Sequence, residues 1–210
     1  GLARPVVLAA SWREGEDAPL LAAWQAMLAR RVLAGEAQRA PLLLLVPRHP
    51  QRFDEVARLV SDAGLTLVRR SSWGAGGPGA LAREAQVWLG DSMGEMPAYY
   101  ACADVALLGG SFAPLGGQNL IEAAACGCPV FMGAHTFNFT QAAERAEAAG
   151  AARRCADLEE AVSAACALAG SPAARAVAVA AAQTYAGQDQ GAAWRMAEAM
   201  LPLISPTAVR

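Results

Sequence analysis

Residues 104–126 read DVALLGGSFAPLGGQNLIEAAAC, and the order of their parts decides the fold. Asp104 to Gly110 is a short, nearly continuous apolar run, the mark of a strand covered on both faces. Two Gly-Gly pairs then interrupt it, and Asn119 to Cys126 resumes at helical spacing. A strand, a glycine-rich turn and a helix in that order is where a doubly wound sheet holds ligands, outside the carboxyl ends of its strands. Glycines let backbone N–H groups approach an anion, and the helix that follows presents its positive end to it.

Outward from this stretch, the same alternation runs through the chain. Residues 5–11 (PVVLAAS), 42–47 (LLLLVP), 65–70 (LTLVRR), 86–91 (QVWLGD) and 128–133 (CPVFMG) read as further strands, with a short one near 151–153. Helical spacing over 17–33 sets Leu20, Leu21, Trp24, Met27 and Leu28 on one face. Helices are also predicted over 53–63, closed by Gly64, and over 93–102, 139–149, 157–169, 172–185 and 189–201. Apolar strands each followed by a helix predict an α/β fold, a doubly wound, Rossmann-like parallel sheet with right-handed crossovers. Residues 1–210 form one domain on this reading, with a helical C-terminal portion from about 156, because no Pro/Ser/Gly linker divides them. Gly74-Ala75-Gly76-Gly77-Pro78-Gly79 matches G-x-G-x-x-G by letter, yet too few residues follow for a full helix before the next strand. It reads as a surface connection. The chain opens directly on a strand, which suggests a piece of something longer.

Composition narrows the functional classes. The 210 residues are 55 % hydrophobic and 17 % charged, enough for a real core. A net charge of −2 offers no basic field, so no nucleic-acid partner is expected. No apolar run reaches the ~18–20 residues of a membrane span, and this chain is expected to be soluble. The five cysteines are odd in number and follow no secretory signal, which points to a reduced setting rather than a disulfide framework. Cys126-Gly127-Cys128 lacks the Cys-x-x-Cys spacing of a metal or redox site and reads as core. No metal and no resident cofactor is predicted.

Three loops carry the chemistry, each at the carboxyl end of a predicted strand. In the first, Ser111 offers a hydroxyl, Gly110, Gly116 and Gly117 offer backbone groups, and Glu122 stands one helical turn after Asn119. A carboxylate there can accept both ribose hydroxyls of a nucleotide. Alone, it would equally complement the helix dipole or form a capping box with Asn119. In the second loop, VPRHP (46–50), Arg48 can pair with a phosphate or carboxylate, and His49 is fixed beside Pro50. In the third, DSMGEM (91–96), Met93 and Gly94 can offer backbone groups to a base and Glu95 a carboxylate. An ordinary helix start explains that loop as well.

Taken in order, these clusters resemble one family. Residues 46–50 (VPRHP), 90–95 (GDSMGE), Tyr99-Tyr100 with Ala103-Asp104, Gly109-Gly110-Ser111, Gly116-Gly117 with Asn119 and Glu122, Pro129-Val130 and 135–139 (HTFNF) carry the resemblance. Over about residues 5–152 they look like the C-terminal domain of the 3-deoxy-D-manno-octulosonic acid (Kdo) transferases. The resemblance implies a GT-B glycosyltransferase, whose two Rossmann-like domains face a cleft. It implies that this half binds CMP-Kdo. The whole enzyme would transfer Kdo, with inversion and without a metal, to a lipid A precursor (lipid IVA) in lipopolysaccharide core biosynthesis. Acceptor binding and the general base would belong to an N-terminal domain outside this chain, so no catalytic residue is expected here. The full-length protein would be membrane-associated, at the cytoplasmic side of the inner membrane.

The resemblance also assigns roles. Glu122 holds the ribose, while Ser111, Gly116, Gly117 and the helix from Asn119 hold the phosphate. Arg48, with His49 beside it, faces the phosphate or the Kdo carboxylate. Ser11 and the turn Glu14-Gly15-Glu16 face the interdomain cleft. The sequence departs from the family pattern at Gln118 and Arg13, where histidines are usual, at Trp12, where threonine is usual, and at Ala123 and Cys128, where proline and lysine are usual. On the residues alone, another nucleotide-sugar enzyme such as an epimerase, or a non-catalytic nucleotide-binding domain, stays open.

Overall fold

The structure, a computed structural model, describes residues 4–36, 40–74, 76–188 and 196–201. Among these, seven strands form one sheet: β1 (Val6–Trp12), β2 (Leu42–Pro47), β3 (Leu67–Arg69), β4 (Val87–Leu89), β5 (Val105–Leu108), β6 (Val130–Met132) and β7 (Ala152–Arg154). Their order is β3-β4-β2-β1-β5-β6-β7, and every pairing is parallel. The helices are α1 (Asp17–Leu33), α2 (Phe53–Asp62), α3 (Ala80–Glu84), α4 (Met96–Cys102), α5 (Ile121–Ala125), α6 (Thr140–Ala148), α7 (Leu158–Ala169) and α8 (Pro172–Gln188). The doubly wound parallel sheet expected from the sequence is the observed one.

The two-residue period of a strand builds the two layers. On β1, Val7 and Ala9 face a core with Trp24 of α1, Val56 of α2 and Val162 of α7. Val6, Leu8 and Ala10 face the other, with Tyr99 of α4, Ala123 of α5, Ala143 of α6 and Tyr185 of α8. Both faces are covered, so both must be apolar, which is why the strands read as unbroken runs. β1 and β5 pair side by side, yet α1 and α5 leave them toward opposite faces. The loops that follow therefore diverge and open a crevice at the switch point.

Element ends shift where local chemistry intervenes. α5 begins at Ile121 rather than Asn119, because Asn119 Oδ1 accepts the Ile121 N–H at 3.0 Å in an Asx turn and Leu120 becomes the N-cap. The Asn119–Glu122 capping box is not formed among the described residues. α4 begins at Met96 rather than 93, after Gly94 at φ +77°. β3 gives way after Arg69 to a 3₁₀ turn over Arg70–Ser72. α3 was not predicted; it follows the glycine-rich connection and is pinned by Trp88 Nε1, which donates to Ala82 O at 2.6 Å. α8 extends to Gln188. Of the helix expected over 189–201, residues 196–201 are helical and the rest lies outside the described residues.

The entry of α1 is anchored by charge. Arg52 meets Asp17 at 2.7 Å, with both side chains under a tenth exposed, and also holds Glu55 at 3.1 Å. Removing one member strands the other in the core, so Arg52→Ala should cost about 3–5 kcal/mol in a denaturant titration. An unchanged midpoint would show the pair to be dispensable. No single described helix is long and apolar enough to cross a membrane; α7 and α8 reach the length only as a pair bent by 104°.

Candidate functional site

The site is built where β1 and β5 end together. The Gly109 N–H donates to Ala10 O at 2.9 Å. A Cβ on residue 109 would lie 2.3 Å from Ser11 O, so only glycine lets the strands approach this closely. Ser11 itself sits at φ +52°, where the pairing of β1 with β2 slips between Ala9 and Trp12. A non-glycine residue in that region stores of order 1–3 kcal/mol, a strain typical of the ends of strands that present a site.

Glu16 is the centre of this end of the molecule. It is only 1 % exposed. Its Oε2 accepts from the N–H groups of Gly110 at 2.7 Å and Arg13 at 3.2 Å; its Oε1 accepts from Phe112 at 3.0 Å and Ala113 at 3.2 Å. The glycine-rich turn does form an anion-binding nest, as the sequence implies. A carboxylate of the same chain already fills it. This corrects two expectations: the Glu16 carboxylate turns inward to backbone while Glu14 and Gly15 of the same turn stay exposed, and the Gly110 N–H is not free for a phosphate.

Ser111 is corrected in the same way. It is fully buried, donates to Leu108 O at 2.6 Å and accepts from the Gly133 N–H at 2.9 Å. Its hydroxyl ties the end of β5 to the end of β6 and has no capacity left for a donor phosphate. Gly117 donates its N–H to Gly110 O at 2.7 Å, folding the second Gly-Gly pair back over the first. Gly116, at φ +89°, accepts from the Asn138 N–H at 3.0 Å, and a Cβ there would strike the Asn138 side chain at 2.2 Å. The loop after β6, residues 133–139, thus braces the glycine-rich turn. Between these loops lies a cavity of about 230 Å³ lined by Gly15, Glu16, Phe112, Gly133, His135 and Asp157, among others.

The remaining expected residues sit on the adjoining loops. Glu122 lies half-buried in the first turn of α5, and its carboxylate makes no hydrogen bond or ion pair among the described residues. Its charge is near enough to act on Tyr100, whose phenol is pushed up first by burial and then by Glu122. Arg48 is exposed and His49 half-buried just after β2. The Arg48 N–H donates to Trp12 O at 2.9 Å, which joins that loop to the end of β1. Met93 and Gly94 are exposed at the rim beyond β4. Glu95 is not idle: it accepts from the Ser92 hydroxyl, from Tyr99 Oη at 3.1 Å and from Arg70 at 2.9 Å. Ser92 above all, with Tyr99 and Arg70, holds its carboxyl below the usual carboxylate range. Cys128 is buried in the core, as expected of Cys126-Gly127-Cys128.

No family model matches the chain. The 3-deoxy-D-manno-octulosonic acid transferase of Bordetella pertussis is 51 % identical to it over 197 residues, which are 94 % of this chain and 44 % of that protein. The enzyme of the same name from Haemophilus influenzae is 42 % identical over 139 residues, 66 % of this chain and 30 % of that protein. Among solved structures, the C-terminal CMP-Kdo binding domain of WaaA from Acinetobacter baumannii superposes with a TM-score of 0.75 at 32 % identity, covering 87 % of this chain and 89 % of that one. The chain belongs to the Kdo transferase family. It spans less than half the length of the curated relatives named above.

Membership gives the family's glycine-rich turn a structural reading here. The segment from β5 to α5 is a rigid platform, stitched by Glu16, Ser111 and Asn138, rather than an open phosphate cradle. The side chains left uncommitted around it include Arg13, Arg48 and Glu122, among the described residues. The two departures from the family's histidines converge: a Cβ on Gly110 would lie 3.4 Å from Gln118 Nε2 and 3.5 Å from Arg13 Cγ. Sequence reasoning missed this meeting, and it missed the role of Glu16. A glutamate two residues after another in an E-G-E turn carries no sign of which one turns inward.

Proposed function

We propose that this domain is the CMP-Kdo-binding half of a Kdo transferase. The whole protein then transfers Kdo to a lipid A precursor, lipid IVA, in lipopolysaccharide core biosynthesis. The observation that carries the reading is the likeness, at 32 % identity over nearly the whole domain, to a CMP-Kdo binding domain. The crevice at the β1/β5 switch point supports it, with an uncommitted carboxylate on α5 and uncommitted guanidiniums at Arg13 and Arg48 on the loops after β1 and β2. In this proposal Glu122 accepts the ribose hydroxyls and the rim at Met93, Gly94 and Glu95 lies under the base. Gly116, Gly117 and the turn at Asn119 line the phosphate, with Arg48 and His49 on its other side. Ser11 borders the cleft, and the sugar extends toward the cavity beside His135.

In the transfer step the acceptor hydroxyl oxygen bonds to the anomeric carbon on the face opposite the phosphate. The bond from that carbon to the phosphate oxygen breaks, and CMP departs with the electron pair. The acceptor proton goes to a base on the other domain. Negative charge grows on the departing phosphate, and cations already in place around it lower the barrier without a metal or other cofactor. The acceptor, the membrane association and the place at the cytoplasmic side of the inner membrane belong to the whole protein in this proposal.

Glu122 tests the assignment of the site. Glu122→Ala should weaken CMP binding by about 1–3 kcal/mol in a calorimetric titration, and Glu122→Gln by less, since one acceptor oxygen remains. Folding should survive both, because a carboxylate in a first helical turn supplies only ~0.3–1 kcal/mol through the dipole. Normal CMP binding by Glu122→Ala would assign the residue to the helix alone.

A further inference from the structure

We propose that Arg13 is a donor-binding residue. With Arg48 it forms a pair of cations that takes the two negative groups of a nucleotide-activated sugar acid, its phosphodiester and its carboxylate. This rests on the donor-half reading and adds a residue that the reading does not contain.

The first observation is that the backbone donors of the turn's first half are spent. Four N–H groups around the glycine-rich turn point at the buried Glu16 carboxylate. The nest therefore carries a full negative charge inside it and has none of its usual attraction for a second anion. Full positive charge for the donor comes from side chains, beside the N–H groups of Gly116 and Asn119 in the second half of the turn.

The second observation is where free guanidiniums stand. Most other described arginines are already paired, such as Arg52 with Asp17 at 2.7 Å and Arg175 with Asp104 at 2.5 Å. Among the described residues, the side chains of Arg13 and Arg48 make no ion pair and no hydrogen bond. Their loops are joined, because the Arg48 N–H donates to the carbonyl of Trp12, the residue before Arg13.

The third observation is direction. The Arg13 backbone is fixed by its N–H bond to Glu16 at 3.2 Å. Its stem runs over the glycine-rich turn, with Cγ 3.5 Å from where a Cβ on Gly110 would be, and the residue is half-buried. None of its guanidinium nitrogens is among the described buried groups left without a partner, so the head stays in reach of an incoming anion. Its fork geometry suits a carboxylate or phosphate through two parallel hydrogen bonds.

The test is calorimetric titration of this chain with CMP-Kdo, for the wild type and for Arg13→Ala, Arg13→Lys and Arg13→His. Arg13→Ala should bind about ten- to a hundredfold more weakly at an unchanged unfolding midpoint, and Arg13→Lys should recover part of the loss. Arg13→His gives a signature that a structural role would not. Taken relative to the wild type at each pH, so that His49 and His135 contribute to both, its binding should approach the wild type at pH 5.5 and fall away above about pH 6.5, the ordinary imidazole pKa. Arg13→Ala binding CMP-Kdo as tightly as the wild type overturns the proposal and leaves the donor-half reading standing. So does a lowered midpoint for all three variants, which would make Arg13 a support of the fold. A wild-type chain that binds neither CMP-Kdo nor CMP removes the reading on which the proposal rests.

Discussion

Glu16→Ala should leave little folded protein at 37 °C. The substitution removes the acceptor of four backbone N–H groups at once. Each donor left without a partner in a site this buried costs about 1–3 kcal/mol. Together the four approach the whole stability of an ordinary domain, about 5–15 kcal/mol. Water admitted into the vacated space recovers part of the loss, so the fold weakens most around the glycine-rich turn, and CMP binding falls with it. Glu16→Gln keeps one acceptor oxygen but turns an NH₂ toward N–H groups that already donate. It should fall between the wild type and alanine. Denaturant titration followed by circular dichroism measures both. A midpoint for Glu16→Ala equal to the wild type would show that the carboxylate occupies the nest without supporting it.

The second large effect concerns turnover. This chain alone should give no measurable transfer of Kdo from CMP-Kdo to lipid IVA, and transfer should appear when the N-terminal half is supplied. Holding donor, acceptor and base together is worth effective molarities of about 10⁵–10⁸ M, and a positioned base adds about 10²–10⁴-fold. The described site offers no plain candidate for that base. Glu16 is sealed in the nest and Glu95 is held by three partners, while Glu122 stands where the ribose is proposed to lie. His49 and His135 remain near the rim, and the family resemblance assigns proton transfer to the other domain. Turnover by this chain alone would place a base and an acceptor site within these residues, and the division of labour proposed here would be wrong.

How far the sequence carried depended on whether a feature is local. The strands were legible because burial on both faces forces apolar residues at successive positions, as at Leu42 to Val46. The glycine-rich turn was legible because backbone approaches such as Gly109 against Ser11 O leave no room for a Cβ. Partnership across the sheet was not legible. Ser111 and Glu16 look like ligand-facing residues when read along the chain, yet each ties backbone three residues back to backbone more than twenty residues away. Arg13 and Gln118 are far apart in sequence and both come over Gly110 because β1 and β5 are neighbours. Helix starts were misplaced for a related reason. An Asx turn at Asn119 and a positive-φ glycine at 94 each shift the first helical residue, and letters alone do not say which competing bond wins.

The central claim is that the crevice between the loops after β1 and β5 holds a cytidine nucleotide. Calorimetric titration of the wild-type chain with CMP, UMP and AMP under the same conditions tests it most directly. The account predicts saturable, one-to-one binding of CMP, tighter than that of UMP or AMP, and weakened by Glu122→Ala. Equal affinity for the three nucleotides, or heat from none of them, would contradict it.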